Sequence, residues 1–178
     1  MQKLIIIHPN KIRNSISLIE SKLKAKVLVN GKNVLVEGAE LDEFIVAEVI
    51  RAIDFGFDIE DALVLRNPDF SLRFINMKEH SRKKNLGPVR SRVIGTMGRG
   101  KGTIEDLTGA IIVVNTNCVG VIVDSEHLDT CVQAIISLIQ GAKHANVFAY
   151  LEKQNVFHRR QDDDLGLKIK DKEFSEKL

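Results

Sequence analysis

The strongest constraint on how this chain can fold is an internal repeat. The turn Asn30-Gly31 separates two β-rich runs, Lys26-Val27-Leu28-Val29 and Val34-Leu35-Val36-Glu37. Asn-Gly in that setting is a strong hairpin signal. A second turn, Asn115-Thr116-Asn117, separates Ile111-Ile112-Val113-Val114 from Val119-Gly120-Val121-Ile122-Val123. Each hairpin leads into apolar residues at helical spacing that stop at a glycine. The first set is Leu41, Phe44, Ile45, Val49 and Ile53 before Gly56; the second is Leu128, Val132, Ile135, Ile136 and Ile139 before Gly141, with Ser125 as the expected N-cap. Both hairpins follow a short strand, over 4–7 and 72–77, and a helical region. Turns and terminal glycines recur about 85 residues apart, so one supersecondary module is used twice. The expected fold is α+β. Its first unit spans 1–68, with an extra helix over Ile59–Leu65, and its second spans 69–153. From Gln154 charges alternate without an apolar face, and 154–178 reads as a charged tail, frayed or disordered.

The copies differ between the first strand and the hairpin, where the second carries an insertion of about seventeen residues. It contains Gly95-Thr96-Met97-Gly98-Arg99-Gly100-Lys101-Gly102-Thr103 and a basic approach to it. Residues 78–101 hold eight Lys or Arg against one acid, Glu79, whereas the first 75 residues carry ten basic and eleven acidic side chains. A cationic patch on a neutral body marks a polyanion-binding surface. The alternative is a protein-interaction or translation-associated adaptor whose basic segment docks an acidic partner, with RNA binding secondary. Overall composition is that of a globular protein, with no apolar run near the roughly 20 residues of a membrane span. The start has no secretory leader pattern, so a cytoplasmic location is expected, with no membrane partner. Cys118 and Cys131 lack metal-site spacing and read as reduced thiols, and the five histidines are scattered singly. Neither a metal nor a cofactor is expected.

Two chemistries could use the glycine segment. A phosphate loop of the nucleotide-hydrolase kind needs G-x-x-x-x-G-K-[ST], and Gly102 stands where a hydroxyl should hold magnesium. Such a loop also lies between a buried parallel strand and a long helix, while Asp124 here ends a hairpin strand. The other chemistry is single-stranded nucleic-acid binding. Where two short helices meet at G-x-x-G, bare Gly95 and Gly98 let a sugar-phosphate backbone approach the main chain, and helix N-terminal amides face the phosphates. On this reading Thr96 and Met97 form the loop tip. Arg90, Arg92, Arg99 and Lys101 neutralise phosphates, and Ile94, Ile104 and Ile112 supply apolar contacts to bases. No catalytic residue is assigned.

Strand, helix, G-x-x-G, helix, hairpin and helix follow in the order of a type I KH domain. The resemblance extends further, through Arg92-Val93-Ile94-Gly95 with Gly98, Ile104-Glu105-Asp106-Leu107-Thr108-Gly109-Ala110, Leu138-Ile139-Gln140-Gly141-Ala142-Lys143-His144 and Tyr150-Leu151-Glu152. With Ala52-Ile53-Asp54-Phe55-Gly56-Phe57-Asp58-Ile59-Glu60-Asp61-Ala62-Leu63, these segments resemble the archaeal tandem-KH family related to eukaryotic partner-of-Nob and KRR-type ribosome-assembly factors. The resemblance covers about residues 4–153 and implies two tandem type I KH domains (βααββα). It implies a non-enzymatic RNA-binding factor of the small ribosomal subunit, acting near the 3′ end of 16S rRNA beside a Nob-type endonuclease. The alpha subunit of translation initiation factor two is a further partner associated with the archaeal group; DNA is not expected. The chain departs from the family pattern in its first module, which has no G-x-x-G: Lys11-Ile12-Arg13-Asn14-Ser15-Ile16 runs directly into one helix. In the second, Thr96 stands where lysine is frequent, Gly100 and Gly102 replace larger residues, and Val123 replaces a glycine. Glycine costs a helix about 1 kcal/mol relative to alanine, so the second helix is expected to start loosely.

Overall fold

A computed structural model describes the backbone of residues 2–164 and the side chains of residues 3–155. The N-terminal part runs β1 (Gln2–Ile5), α1 (Pro9–Lys22), β2 (Lys26–Asn30), β3 (Asn33–Glu37) and α2 (Glu40–Phe55). The strands form an antiparallel sheet in the order β1-β3-β2, with Leu4 opposite Val34 and Val27 opposite Val36. Those alternate residues turn inward onto Ile12 and Ile19 of α1 and Val46 and Ile50 of α2, all fully buried. Pro9 occupies the first turn of α1, where a missing N–H costs nothing. The entry to that helix is held from the far end of α2: the Asp54 carboxylate accepts the backbone N–H of Ile7 at 2.9 Å and of His8 at 2.6 Å. Gly56 ends α2 at φ 129°, donating to the carbonyls of Ala52 and Ile53, a conformation that suits glycine. The short α3 (Ile59–Leu63) and a tight turn over Val64–Arg66 complete this part.

The C-terminal part runs β4 (Phe70–Asn76), α4 (Met77–His80), α5 (Gly87–Ile94), α6 (Arg99–Thr108), β5 (Ile111–Val114), β6 (Cys118–Asp124), α7 (Leu128–Gln140) and α8 (His144–Asp164). Its antiparallel sheet has the order β4-β6-β5. The one-turn α4 was not anticipated, and α6 begins at Arg99, inside the glycine segment. Ser125 is not the N-cap of α7. His127 holds that position, and the Ser125 hydroxyl donates instead to the carbonyl of Asp69 at 2.7 Å. Helix α8 extends through 154–164, the first residues of the expected tail, and residues 165–178 of that tail lie outside the described residues. No helix among the described residues is long and apolar enough to cross a membrane.

The central strand β6 is covered on both faces. Val119, Val121 and Val123 pack into a core with Val93, Ile104, Ile112, Ile135 and Leu138, beneath α5, α6 and α7. Ile122 points the other way and joins the core of the N-terminal part, with Leu72, Ile111 and Val113 against the same cluster. Between them sits Gly120. A Cβ there would lie 2.6 Å from the ring of Phe55 and 2.8 Å from that of Phe57. Phe55 also lies against Phe74, with ring centroids 4.7 Å apart. Its carbonyl accepts the side-chain amide of Asn115 at 2.5 Å, fixing the β5–β6 turn to the end of α2.

Forcing side-chain volume between strand and rings costs about 1–3 kcal/mol. Gly120→Val should therefore lower Tm by roughly 3–10 °C, with Gly120→Ala between it and the parent in a thermal melt. Burial pushes the Cys131 thiol up to about 11, against the opposing hydrogen bond from Thr108, whereas Cys118 is only half-buried. Alkylation of the native protein at mildly alkaline pH should modify Cys118 alone, and denaturant should expose both, as mass spectrometry would read.

Candidate nucleic-acid interface

The glycine segment is a tight turn joining α5 to α6. Gly95 closes α5 at φ 75°, its N–H donating to the Ser91 carbonyl at 2.8 Å. A Cβ at Gly95 would fall 2.4 Å from the Gly100 nitrogen, and one at Gly100 would lie 3.1 Å from the Gly95 Cα and the Val93 carbonyl. The two helices thus meet backbone on backbone. Gly100 belongs to this contact and is buried, so it does not loosen the helix start. Met97 is the only non-glycine residue with positive φ among the described residues (54°), and it is 89% exposed. That conformation costs an L-residue about 1–2 kcal/mol, and strain of this kind collects at binding loops. Gly98 follows in the left-handed region at φ 79°, with open space around it; glycine is needed there for conformation rather than for room.

Gly98 is also the N-cap of α6, and no side chain caps that end or places an acid in its first turn. The first amides and the positive end of the helix dipole therefore face outward beside the loop. Exposed Arg99 follows. Lys101 pairs with Glu105 at 3.3 Å, while the same carboxylate oxygen accepts the Ile112 N–H at 2.8 Å and so ties α6 to β5. A half-exposed pair of this kind is worth about 0–1 kcal/mol, so Lys101 can exchange it for a phosphate. Around the first turn of α5, Lys78, Lys84 and Arg90 surround a hollow of about 250 Å³ that is closed by Thr116 and Asn117 of the β5–β6 turn. Among its lining residues there is no acid.

The structure gathers Gly95, Thr96, Met97, Gly98, Arg99 and Lys101 at the junction of α5 and α6, places Arg90 at the hollow, and leaves four other sequence candidates elsewhere. Ile104 and Ile112 are 0% and 1% exposed, so they support the groove from beneath, while Ile94 is half-buried. Arg92 turns to the end of α7, where its guanidinium donates to the carbonyls of Gly141 at 2.8 Å and Ala142 at 2.6 Å. Its own carbonyl contacts the His144 ring at 2.9 Å. Lys78, Lys84, Thr116 and Asn117 line the hollow without having been assigned to the site from sequence; the first two lay in the charge run and the last two in the hairpin turn. Asp124, Glu126 and His127 bring potential ligand atoms within 4.8 Å of one another, but Asp124 accepts the Glu126 N–H as part of the local turn.

Comparison with known proteins agrees with this geometry. Residues 71–156 match the family model for the second KH domain of PNO1, a eukaryotic type KH domain (KH-domain type I). A KH domain-containing protein of Methanocaldococcus jannaschii, MJ0443, is 32% identical over 125 residues, covering 70% of this chain and 55% of the relative. The pre-rRNA-processing protein PNO1 of Chaetomium thermophilum is 32% identical over 107 residues, covering 57% of this chain and 41% of its own. The chain thus spans about half the length of these curated relatives. Among solved structures, an Aeropyrum pernix protein superposes with a TM-score of 0.83, at 26% identity over 91% of this chain and 94% of its own. A chain of the a/eIF2alpha-aDim2p-rRNA complex from Pyrococcus horikoshii superposes with a TM-score of 0.78, at 26% identity over 86% of this chain and 93% of its own. The protein carries a KH domain of the PNO1/Dim2 type, homologous to archaeal Dim2 proteins and eukaryotic Pno1.

Proposed function

We propose that this protein binds single-stranded RNA through the groove between the Gly95–Gly98 turn and the β5–β6 turn, and acts in assembly of the small ribosomal subunit. The observation that carries the reading is the uncapped N-terminus of α6, introduced by two left-handed residues and followed by exposed Arg99, with Arg90, Lys78 and Lys84 lining a hollow at the start of α5. Phosphates on that terminus would bring bases toward the turn at 115–117. The RNA segment proposed is the 3′ region of 16S rRNA, and the supporting likenesses are to a Dim2–rRNA complex and to pre-rRNA-processing proteins. A Nob-type endonuclease and the alpha subunit of translation initiation factor two are the proposed protein partners. The role is binding and presentation, without enzymatic turnover. In the same reading β1, α1, β2, β3 and α2 are a KH-like module reduced to one helix before its hairpin. It has no G-x-x-G, and it serves as a packing or protein-docking unit.

Thr96 and Met97 are exposed, so aspartates there should leave the melting temperature near that of the parent. They should weaken binding of an RNA with the 16S rRNA 3′ sequence by about 2–4 kcal/mol, because like charge would face each phosphate. Unchanged affinity with an intact fold would overturn the assignment. Four phosphate contacts predict a slope of about −3 in a plot of log K against log salt, and Arg90→Ala or Arg99→Ala should each reduce its magnitude by about 0.7. Arg92→Ala behaves differently, because it removes two charge-assisted hydrogen bonds. It should cost about 1.5–3 kcal/mol of stability while leaving the salt slope unchanged.

A further inference from the structure

Helix α5 divides the cationic segment into two faces. Arg90 looks onto the groove, whereas Pro88, Val89 and Arg92 lie on the far side; positions 90 and 92 are about 200° apart around a helix. On that far side the linker after α4, α5 and the last turn of α7 enclose a second cavity of about 720 Å³, sharing no lining residue with the first. One wall carries His80, Arg82 and Lys83, with no Asp or Glu among the lining residues. The opposite wall is the C-terminal turn of α7, where the carbonyls of Ile139 and Gln140 accept no hydrogen bond among the described residues. Arg92 satisfies the next two carbonyls. The cavity therefore pairs a cationic wall with a row of acceptors.

We propose that this cavity binds an acidic peptide segment of a protein partner. Such a segment presents carboxylates for Arg82 and Lys83 together with regularly spaced backbone N–H groups for the α7 carbonyls. A single-stranded RNA also offers anions, but its regularly spaced donors are 2′-hydroxyls rather than backbone N–H groups. The cavity gives a base little apolar face: Val89 and Ile139 are 3% and 4% exposed, and no Phe, Tyr or Trp lines it, so only His80 and the arginines offer a plane. Because α5 stands between the cavity and the groove, peptide and RNA occupy opposite faces of one helix and bind together.

The test uses the full chain, a short end-capped peptide of Asp and Glu, its Asn/Gln counterpart and the 16S rRNA 3′ fragment, at low ionic strength. The acidic peptide should bind and the neutral one should not, with amide shifts mapping to residues 80–83 and 139–141 rather than 95–99. Replacing exposed Arg82 and Lys83 with alanine should weaken the peptide about five- to tenfold, the scale expected of two exposed ion pairs. At about 0.15 M salt, where the Debye length is about 8 Å, the double variant should weaken RNA less than Arg90→Ala does, and saturating RNA should not displace the peptide. The proposal is overturned if the acidic peptide does not bind, if RNA displaces it, or if the double variant weakens RNA as strongly as Arg90→Ala. The last result would extend the RNA path around α5.

Discussion

The contact on which most of this structure depends is the seat of Phe55 and Phe57 on the bare backbone of Gly120. A three-stranded sheet with helices on one side normally leaves its other face to water, and alternates apolar with polar residues accordingly. In β6 both faces are buried, at Val119, Val121 and Val123 on one side and at Gly120 and Ile122 on the other. The second face is covered by the end of α2 and the residues after it. Removing a side chain at position 120 brings the rings within reach of the strand, and the same α2 terminus then accepts the Asn115 amide and holds the start of α1 through Asp54. One helix end thereby fixes the position of the β5–β6 turn, which is one wall of the proposed RNA groove.

The other wall is fixed from inside the C-terminal part. α5 has eight residues and, standing alone, would not hold its position. Val89 and Val93 bury one side of it, Arg92 ties it to the end of α7, and Gly95 presses its last turn against Gly100 at the start of α6. The loop between the two helices is short because these backbones touch. Its left-handed residues, Met97 and Gly98, are the consequence of reversing direction in so little chain. A loop braced at both ends presents its amides without having to be ordered by a ligand, which lowers the entropic cost of binding.

Much of this was legible in the sequence. Asn-Gly between β-rich runs and glycines ending helical stripes gave the order of elements and the repeat, because those signals are local. The G-x-x-G between two short helices located the loop for the same reason. What stayed hidden was tertiary. Helix α4 has a single turn and therefore no periodicity to detect. Gly100 read as a weak point of α6, since glycine is a poor helix former, until its contact with Gly95 gave it a packing reason. Ser125 has the right chemistry for an N-cap, but the carbonyl of Asp69, just before β4, takes its hydroxyl. Gly120 inside an apolar strand was the readable hint of a close approach, although nothing nearby in sequence names Phe55 and Phe57 as what approaches.

Charge shows the same division between pattern and placement. Counted along the chain, residues 78–101 form one cationic block, and every arginine in it looks like a phosphate ligand. Once α5 is a helix, its successive cations must diverge: Arg90 reaches the groove while Arg92, two residues on, points to the far side and spends its hydrogen bonds on α7. The linker before the helix distributes its charges in the same way, with Lys84 on the groove side and Arg82 and Lys83 on the other. A single run of positive charge therefore becomes two surfaces of different shape, one closed by the β5–β6 turn and one by the last turn of α7. Long-range attraction for polyanions belongs to the run as a whole, but each surface selects by the groups that stand opposite its cations.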